Sequence, residues 1–276
     1  MSAESPIAII AGAGRFPFHV AQEAKRQGIS VVGLGIQGWA DPSLAGLVDA
    51  YEEIAVGQLG RLIERLKSHR VRQAIMAGKV TKEVLLDRRA AFDAEALGVL
   101  RQVHEVSVNA VLGAIGLRLA GEGIALLDSS TFLKGNVCPA GPVTSRGPTE
   151  AECQDIEVGA RAARALASLD IGQTVIVKDR VVVALEALEG TDAAIARAHA
   201  LAHDGLVVVK MAAPDQDRRF DLPVVGLETI VALRKAGATC LAVLAGSTLL
   251  LDREALIASA DAAKLCIVGV ESDSVT

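Results

Sequence analysis

Aromatic side chains are scarce in this chain, at 3% of 276 residues. No arginine-aromatic interleaving or basic block occurs, and the net charge is -5. Both absences argue against a nucleic-acid-binding surface. The four cysteines, Cys138, Cys153, Cys240 and Cys266, form no CxxC pair, so they read as small apolar residues or free thiols of a reducing compartment, not as a zinc site. No apolar run reaches the roughly 18 to 20 residues that cross a bilayer. The opening Met-Ser-Ala-Glu-Ser-Pro lacks the basic-then-apolar pattern of a signal peptide. A cytosolic location is expected, with reversible contact at a membrane surface left open.

Several catalytic signatures are missing too. There is no GxxxxGK[ST] phosphate loop and no GxSxG nucleophile elbow. His199 and His203 stand four apart, but without the Glu of HExxH. A glycine turn, Ala11-Gly12-Ala13-Gly14-Arg15-Phe16-Pro17, does follow an apolar run. The dinucleotide fingerprint, however, would need glycine where Pro17 stands, and no acid ends the second strand. A dinucleotide-binding oxidoreductase is therefore disfavoured. The turn fits an anion at a helix N-terminus, with Arg15 beside it, or a tight strand-to-helix connection alone.

What is abundant is Ala, Val and Leu, within 51% hydrophobic residues and a mean hydropathy of +0.39. Short continuous apolar runs at 7–11, 30–35 and 73–77 alternate with amphipathic stretches, which predicts parallel strands covered on both faces. The segment 93–122 reads as two helices, and 124–128 as a closing strand. Residues 129–148 hold Gly135, Pro139, Gly141, Pro142, Gly147 and Pro148, which is loop chemistry. Thr149 with Glu152 forms a capping box that opens a helix reaching about Ser168. A hairpin is expected over 174–185, then helices at 192–202, 227–236 and 253–263 alternating with strands at 206–210, 239–244 and 266–270. The expected architecture is α/β in two domains: an amino-terminal domain with a parallel sheet (1–132), a linker (133–148) and a carboxy-terminal α/β domain (149–276).

Three places gather chemistry at strand ends. The apolar run 206–209 leads into Lys210-Met-Ala-Ala-Pro-Asp-Gln-Asp-Arg-Arg-Phe-Asp221. A divalent ion held by Asp217 and Asp221, with Lys210 and an arginine on an anionic substrate, would employ those charges. A solvated loop whose opposite charges cancel is the plain alternative. Glu186-Ala-Leu-Glu-Gly-Thr-Asp192 could complete a cation site or orient water, while Thr191 or Asp192 could equally cap the following helix. Lys79 ends the run 73–77, on the edge where parallel sheets bind ligands.

Taken together, Ile9-Ile-Ala-Gly-Ala-Gly-Arg-Phe-Pro17, Ala77-Gly-Lys79, Leu169-Asp-Ile-Gly-Gln-Thr-Val175, the Glu186 to Asp192 segment and residues 210–223 resemble the LpxI-type UDP-2,3-diacylglucosamine pyrophosphatases of bacterial lipid A biosynthesis. The likeness runs in order along nearly the whole chain. It implies a Rossmann-like domain, a family-specific second domain, and magnesium-dependent hydrolysis of UDP-2,3-diacylglucosamine to UMP and 2,3-diacylglucosamine 1-phosphate (lipid X). In that family the last Asp of the charged segment is critical, and it corresponds to Asp221. The mechanism expected on this footing is attack by water at the α-phosphorus. Asp221 and Asp217 would hold Mg2+ or orient water, and Gln216 would orient the water. Glu189, with Glu186 and Asp192, forms a second tier for the cation or a general base. Lys210, Arg219 and Lys79 would take phosphate charge. Gly12, Gly14, Arg15, Phe16 and Pro17, with Thr191, would line the substrate site. Transient contact with the inner membrane follows from the acyl chains, and a homodimer is compatible with the sequence. A non-catalytic nucleotide-sugar or lipid carrier is the alternative.

Overall fold

The computed structural model describes residues 5–80, 91–103, 108–213, 216–220 and 222–271. The chain divides into two compact units. The first comprises residues 1–134 together with 217–221, and the second comprises 135–216 and 222–276.

The first unit is built on five strands: β1 (Ile7–Ala11), β2 (Val31–Ile36), β3 (Ala50–Ile54), β4 (Gln73–Ala77) and β5 (Ala125–Leu126). They lie in the order β3-β2-β1-β4-β5, each parallel to its neighbours. Every residue of β1 is buried, as expected of a central strand covered on both faces. Helices α1 (Phe16–Arg26), α2 (Leu59–Ser68), α3 (Ala94–Gln102) and α4 (Val108–Gly121) make the connections. In α2, Leu59, Leu62, Ile63 and Leu66 recur at helical spacing and meet Ala8, Ile10, Val32 and Leu34 of the sheet in one apolar cluster. Strand order reverses between β1 and β4. A doubly wound sheet opens a ligand crevice at such a point, beyond the carboxyl ends of its strands.

The second unit is a mixed sheet. Its strands are β6 (Gly141–Pro142), β7 (Thr174–Lys178), β8 (Val181–Leu185), β9 (Leu206–Lys210), β11 (Ala238–Leu244) and β13 (Cys266–Val270), in the order β6-β13-β11-β9-β7-β8. β9, β11 and β13 are parallel, whereas the β7–β8 hairpin and β6 join antiparallel. The hairpin expected over 174–185 is therefore present. Two short strands, β10 (Val224–Val225) and β12 (Leu249–Leu250), pair separately. One face of the large sheet packs on α5 (Glu150–Ser168), through Ile156, Ala160 and Ala163. The other packs on α6 (Thr191–Ala202), α7 (Leu227–Lys235) and α8 (Arg253–Ala262).

The capping box at the start of α5 is as expected: Thr149 accepts from the Glu152 N–H, and Glu152 accepts from the Thr149 N–H. Glu152 also takes a bidentate pair from Arg146, at 2.8 and 2.9 Å, and Arg146 donates further to the carbonyls of Lys264 and Thr239. This part-buried pair ties residues 139–148 to the sheet. Within that stretch, expected to be a linker, Gly141 and Pro142 form an edge strand on β13. An edge tolerates Pro142 because its missing N–H leaves no interior ladder bond unmade.

Candidate active site

Two clusters of the charged residues singled out above take shape, one in each unit, together with a third grouping at the switch point of the first sheet.

At the switch point the loops after β1 and β4 meet. Ala13 and Lys79 exchange backbone hydrogen bonds of 2.8 and 2.9 Å. The approach is close enough that a Cβ on Gly12 would lie 2.7 Å from the Lys79 carbonyl oxygen. The glycine turn and Lys79 are thus brought together, with Gly14 (φ 92°) and Arg15 exposed beside them. The Arg15 guanidinium lies over the Phe18 ring at 4.7 Å. Phe16 and Pro17 are buried in the first turn of α1 and seat that helix.

Asp217, Arg218 and Arg219 cluster with the first unit. Asp217 accepts from the backbone N–H of Arg219 at 3.0 Å, and both its oxygens face the Arg219 guanidinium. Hydrogen bonding from that guanidinium holds the Asp217 carboxyl below the ordinary aspartate range. Arg218 donates to Asp128 at 2.7 Å and to the Ser130 hydroxyl at 3.2 Å. The Ser129 hydroxyl reaches the carbonyls of Arg219 and Met76. Asp128 and Ser129 went unremarked in the sequence because their partners lie some ninety residues away. The signal available was an acid closing a strand. Gln216 accepts from the Ala213 N–H at 3.1 Å, and Glu189 forms an exposed pair with Arg197 at 2.6 Å. Asp221 lies outside the described residues.

The second cluster is buried. The register of β7 on β9 sets Thr174 opposite Lys210. β8 runs parallel to β9, so Glu186, one residue past its end, arrives at the same edge of the sheet. A five-residue turn then starts α6 at Thr191, with Gly190 as N-cap. Thr191, considered above as a cap, uses its hydroxyl otherwise. It donates to Glu186 Oε1 at 2.8 Å and accepts from Lys210 Nζ at 3.1 Å. Glu186 and Lys210 are each only 8% exposed, and Thr174 is fully buried. The chain also passes close behind Glu186, since a Cβ on Gly172 would fall 2.1 Å from its carbonyl oxygen. Burial works to raise the Glu186 pKa, but the Lys210 charge, the Thr174 and Thr191 hydroxyls and the Gln173 N–H outweigh it. The carboxyl therefore sits below its ordinary value and is ionised at neutral pH.

Among the described residues, no three His, Cys, Asp or Glu side chains converge as a metal site. With Asp217 committed to Arg219, the described residues do not assemble a cation cradle.

Residues 6–136 match the LpxI N-terminal domain and residues 139–268 the LpxI C-terminal domain. The chain belongs to the LpxI family. A relative in that family, UDP-2,3-diacylglucosamine pyrophosphatase LpxI of Caulobacter vibrioides, is 30% identical over 96% of this chain and 97% of that protein. Solved biotin carboxylases show a much fainter likeness. The Campylobacter jejuni enzyme has a TM-score of 0.29 at 14% identity, covering 73% of this chain and 43% of that one. The biotin carboxylase domain of a thermophilic 2-oxoglutarate carboxylase has a TM-score of 0.26 at 12% identity, covering 62% of this chain and 34% of that one. Such scores bear on neither fold nor function here. The LpxI-family chain thus carries the glycine turn in its first domain and the Glu186–Thr191–Lys210 cluster in its second.

Proposed function

We propose that this chain hydrolyses the pyrophosphate of UDP-2,3-diacylglucosamine, water attacking the α-phosphorus to release UMP and 2,3-diacylglucosamine 1-phosphate (lipid X) for lipid A biosynthesis. Family membership and the name of the Caulobacter vibrioides relative support the substrate. The observation that carries the chemistry is Lys210, a buried ammonium with one N–H bond on Thr191 and two left for an anion. Phosphoanhydride hydrolysis rests mainly on positioning and charge neutralisation. Lys210 takes phosphate charge in this reading. The Gly12 to Arg15 turn, with Phe16 and Pro17 behind it and Lys79 beside it, takes the uridine or phosphate end.

The reading includes a divalent cation, Mg2+, which when bound neutralises phosphate oxygens and asks for only one or two protein carboxylates. Asp221 and Asp217 are its proposed holders, and Asp217 must release Arg219 to serve. Arg219, once free, faces the substrate phosphates. Gln216 orients the water, and Glu189 stands as the reserve base. Contact with the inner-membrane surface is transient in this reading and follows from the substrate's two acyl chains. Among the described residues no helix is long and apolar enough to cross a membrane.

The test is incubation with UDP-2,3-diacylglucosamine in oxygen-18 water, with magnesium or with EDTA, followed by mass spectrometry. The expected product is UMP carrying the heavy oxygen, formed only with the metal. Heavy oxygen on the sugar phosphate would reverse the direction of attack. Tight binding without turnover would replace the hydrolase by a carrier.

A further inference from the structure

We propose that Glu186 is a positioning residue for this reaction: acting through the Thr191 hydroxyl, its carboxylate holds the Lys210 ammonium at the sheet edge without pairing with it directly. The inference rests on Lys210 meeting substrate phosphate, as proposed above.

A threonine hydroxyl has one proton to give and lone pairs to receive with. An ionised carboxylate can only accept, so Glu186 takes that proton at 2.8 Å and obliges the Thr191 oxygen to receive from Lys210 at 3.1 Å. The order of the relay is thereby set. No direct ion pair forms between Glu186 and Lys210. A direct pair would quench the positive charge and occupy its N–H bonds. With a hydroxyl between them, the carboxylate still supplies the counter-charge that a buried ammonium requires, while two N–H bonds of Lys210 stay available. Three different strand ends and a helix start supply this arrangement: Thr174 begins β7, Glu186 follows β8, Lys210 ends β9 and Thr191 opens α6. Thr174 flanks the relay, its hydroxyl 3.5 Å from that of Thr191. An ionised carboxylate buried to this degree costs several kcal/mol unless it is compensated. Here the Lys210 charge, the Thr174 and Thr191 hydroxyls and the Gln173 N–H supply the compensation, while the second carboxylate oxygen, Oε2, has no hydrogen-bond partner. Glu186 is therefore a fixture of Lys210 and not a base that meets water.

The experiment is a mutant cycle read in two ways: hydrolysis of UDP-2,3-diacylglucosamine, and binding of UDP by calorimetry. Glu186→Gln and Thr191→Val are each expected to lower kcat/KM by about 10- to 100-fold, the range for losing a hydrogen bond to a charged group. Thr191→Ser keeps the hydroxyl and should restore most of that loss, which a merely structural role for the Thr191 methyl would not. In a Lys210→Met background, Glu186→Gln should add no further loss, because its effect passes through the lysine. Additive losses in that double variant, or normal turnover by Thr191→Val, would overturn the proposal. Should Glu186→Gln fail to fold, as judged by circular dichroism, the Thr191 pair of variants decides alone. If the wild-type protein turns nothing over, the hydrolase reading falls, and the same cycle on UDP affinity still tests the relay. Absence of UDP binding as well would sink both.

Discussion

Residues 216–220 and the ends of β8 and β9 both carry opposite charges, yet they dispose of them in opposite ways. In the loop, Asp217 faces Arg219 and Asp128 faces Arg218, with side chains between 31% and 40% exposed. Each charge meets its opposite directly and water screens the rest, an arrangement generally worth little to stability. At the strand ends, Glu186 and Lys210 are 8% exposed and communicate only through Thr191. There the charges are kept apart. A crowded stretch of sequence can thus spend its charges in direct ion pairs, while two charges twenty-four positions apart meet only through a hydroxyl, which leaves two N–H bonds of the Lys210 ammonium open.

The contrast can be broken most severely at Lys210. Replacing it with methionine should reduce kcat/KM by about 10²- to 10³-fold, the scale of removing one preorganised electrostatic stabiliser, with the circular dichroism spectrum unchanged. Next comes the part-buried pair of Arg146 and Glu152. Glu152→Gln weakens the charged hydrogen bonds to Arg146 and should cost about 1–3 kcal/mol at pH 7 in urea unfolding. Burial opposes ionisation of Glu152, but hydrogen bonds from Arg146 and Thr149 bring its carboxyl down to about 2. A depressed carboxyl stabilises the fold above its unfolded value and loses that contribution as pH falls through the folded one. The gap between wild type and Glu152→Gln should therefore narrow as pH falls from the ordinary carboxylate range towards about 2. Gly172→Ala, which sets a methyl against the Glu186 carbonyl, should cost about 1–3 kcal/mol and lower turnover with it. A fully active Gly172→Ala would mean that the backbone behind Glu186 is not a fixed support.

The smallest effect belongs to the loop. Asp217→Asn should change stability by less than about 1 kcal/mol, and less still in high salt. Loss of turnover in that variant without loss of stability would place Asp217 in the chemistry and not only in the loop's charge balance.

Much of the fold was legible because it rests on local pattern. The buried run of β1, the hairpin of β7 and β8, and the Thr149–Glu152 box are all written within a few neighbouring residues. The relay was half legible. Glu186, Thr191 and Lys210 each stood out as polar groups at the ends of apolar runs, but their meeting depends on Thr174 facing Lys210 across two strands. No spacing in the sequence encodes that register. Arg218 with Asp128 was not legible at all, since nothing local marks an arginine for an acid in the other half of the chain. Thr191 shows the limit in miniature. Its place before a helix suggested a cap, and the side chain serves Glu186 and Lys210 instead.

The division of the chain has a consequence for how its gene can be cut. The first unit is not one continuous stretch, because it takes back residues 217–221 after the chain has gone on to build most of the second. A fragment ending at Lys134 would carry Asp128 and Ser129 but not the Arg218 side chain and Arg218 and Arg219 carbonyls that engage them. The halves are therefore not interchangeable modules, and a fusion or exchange made at residue 134 separates a domain from its own last five residues.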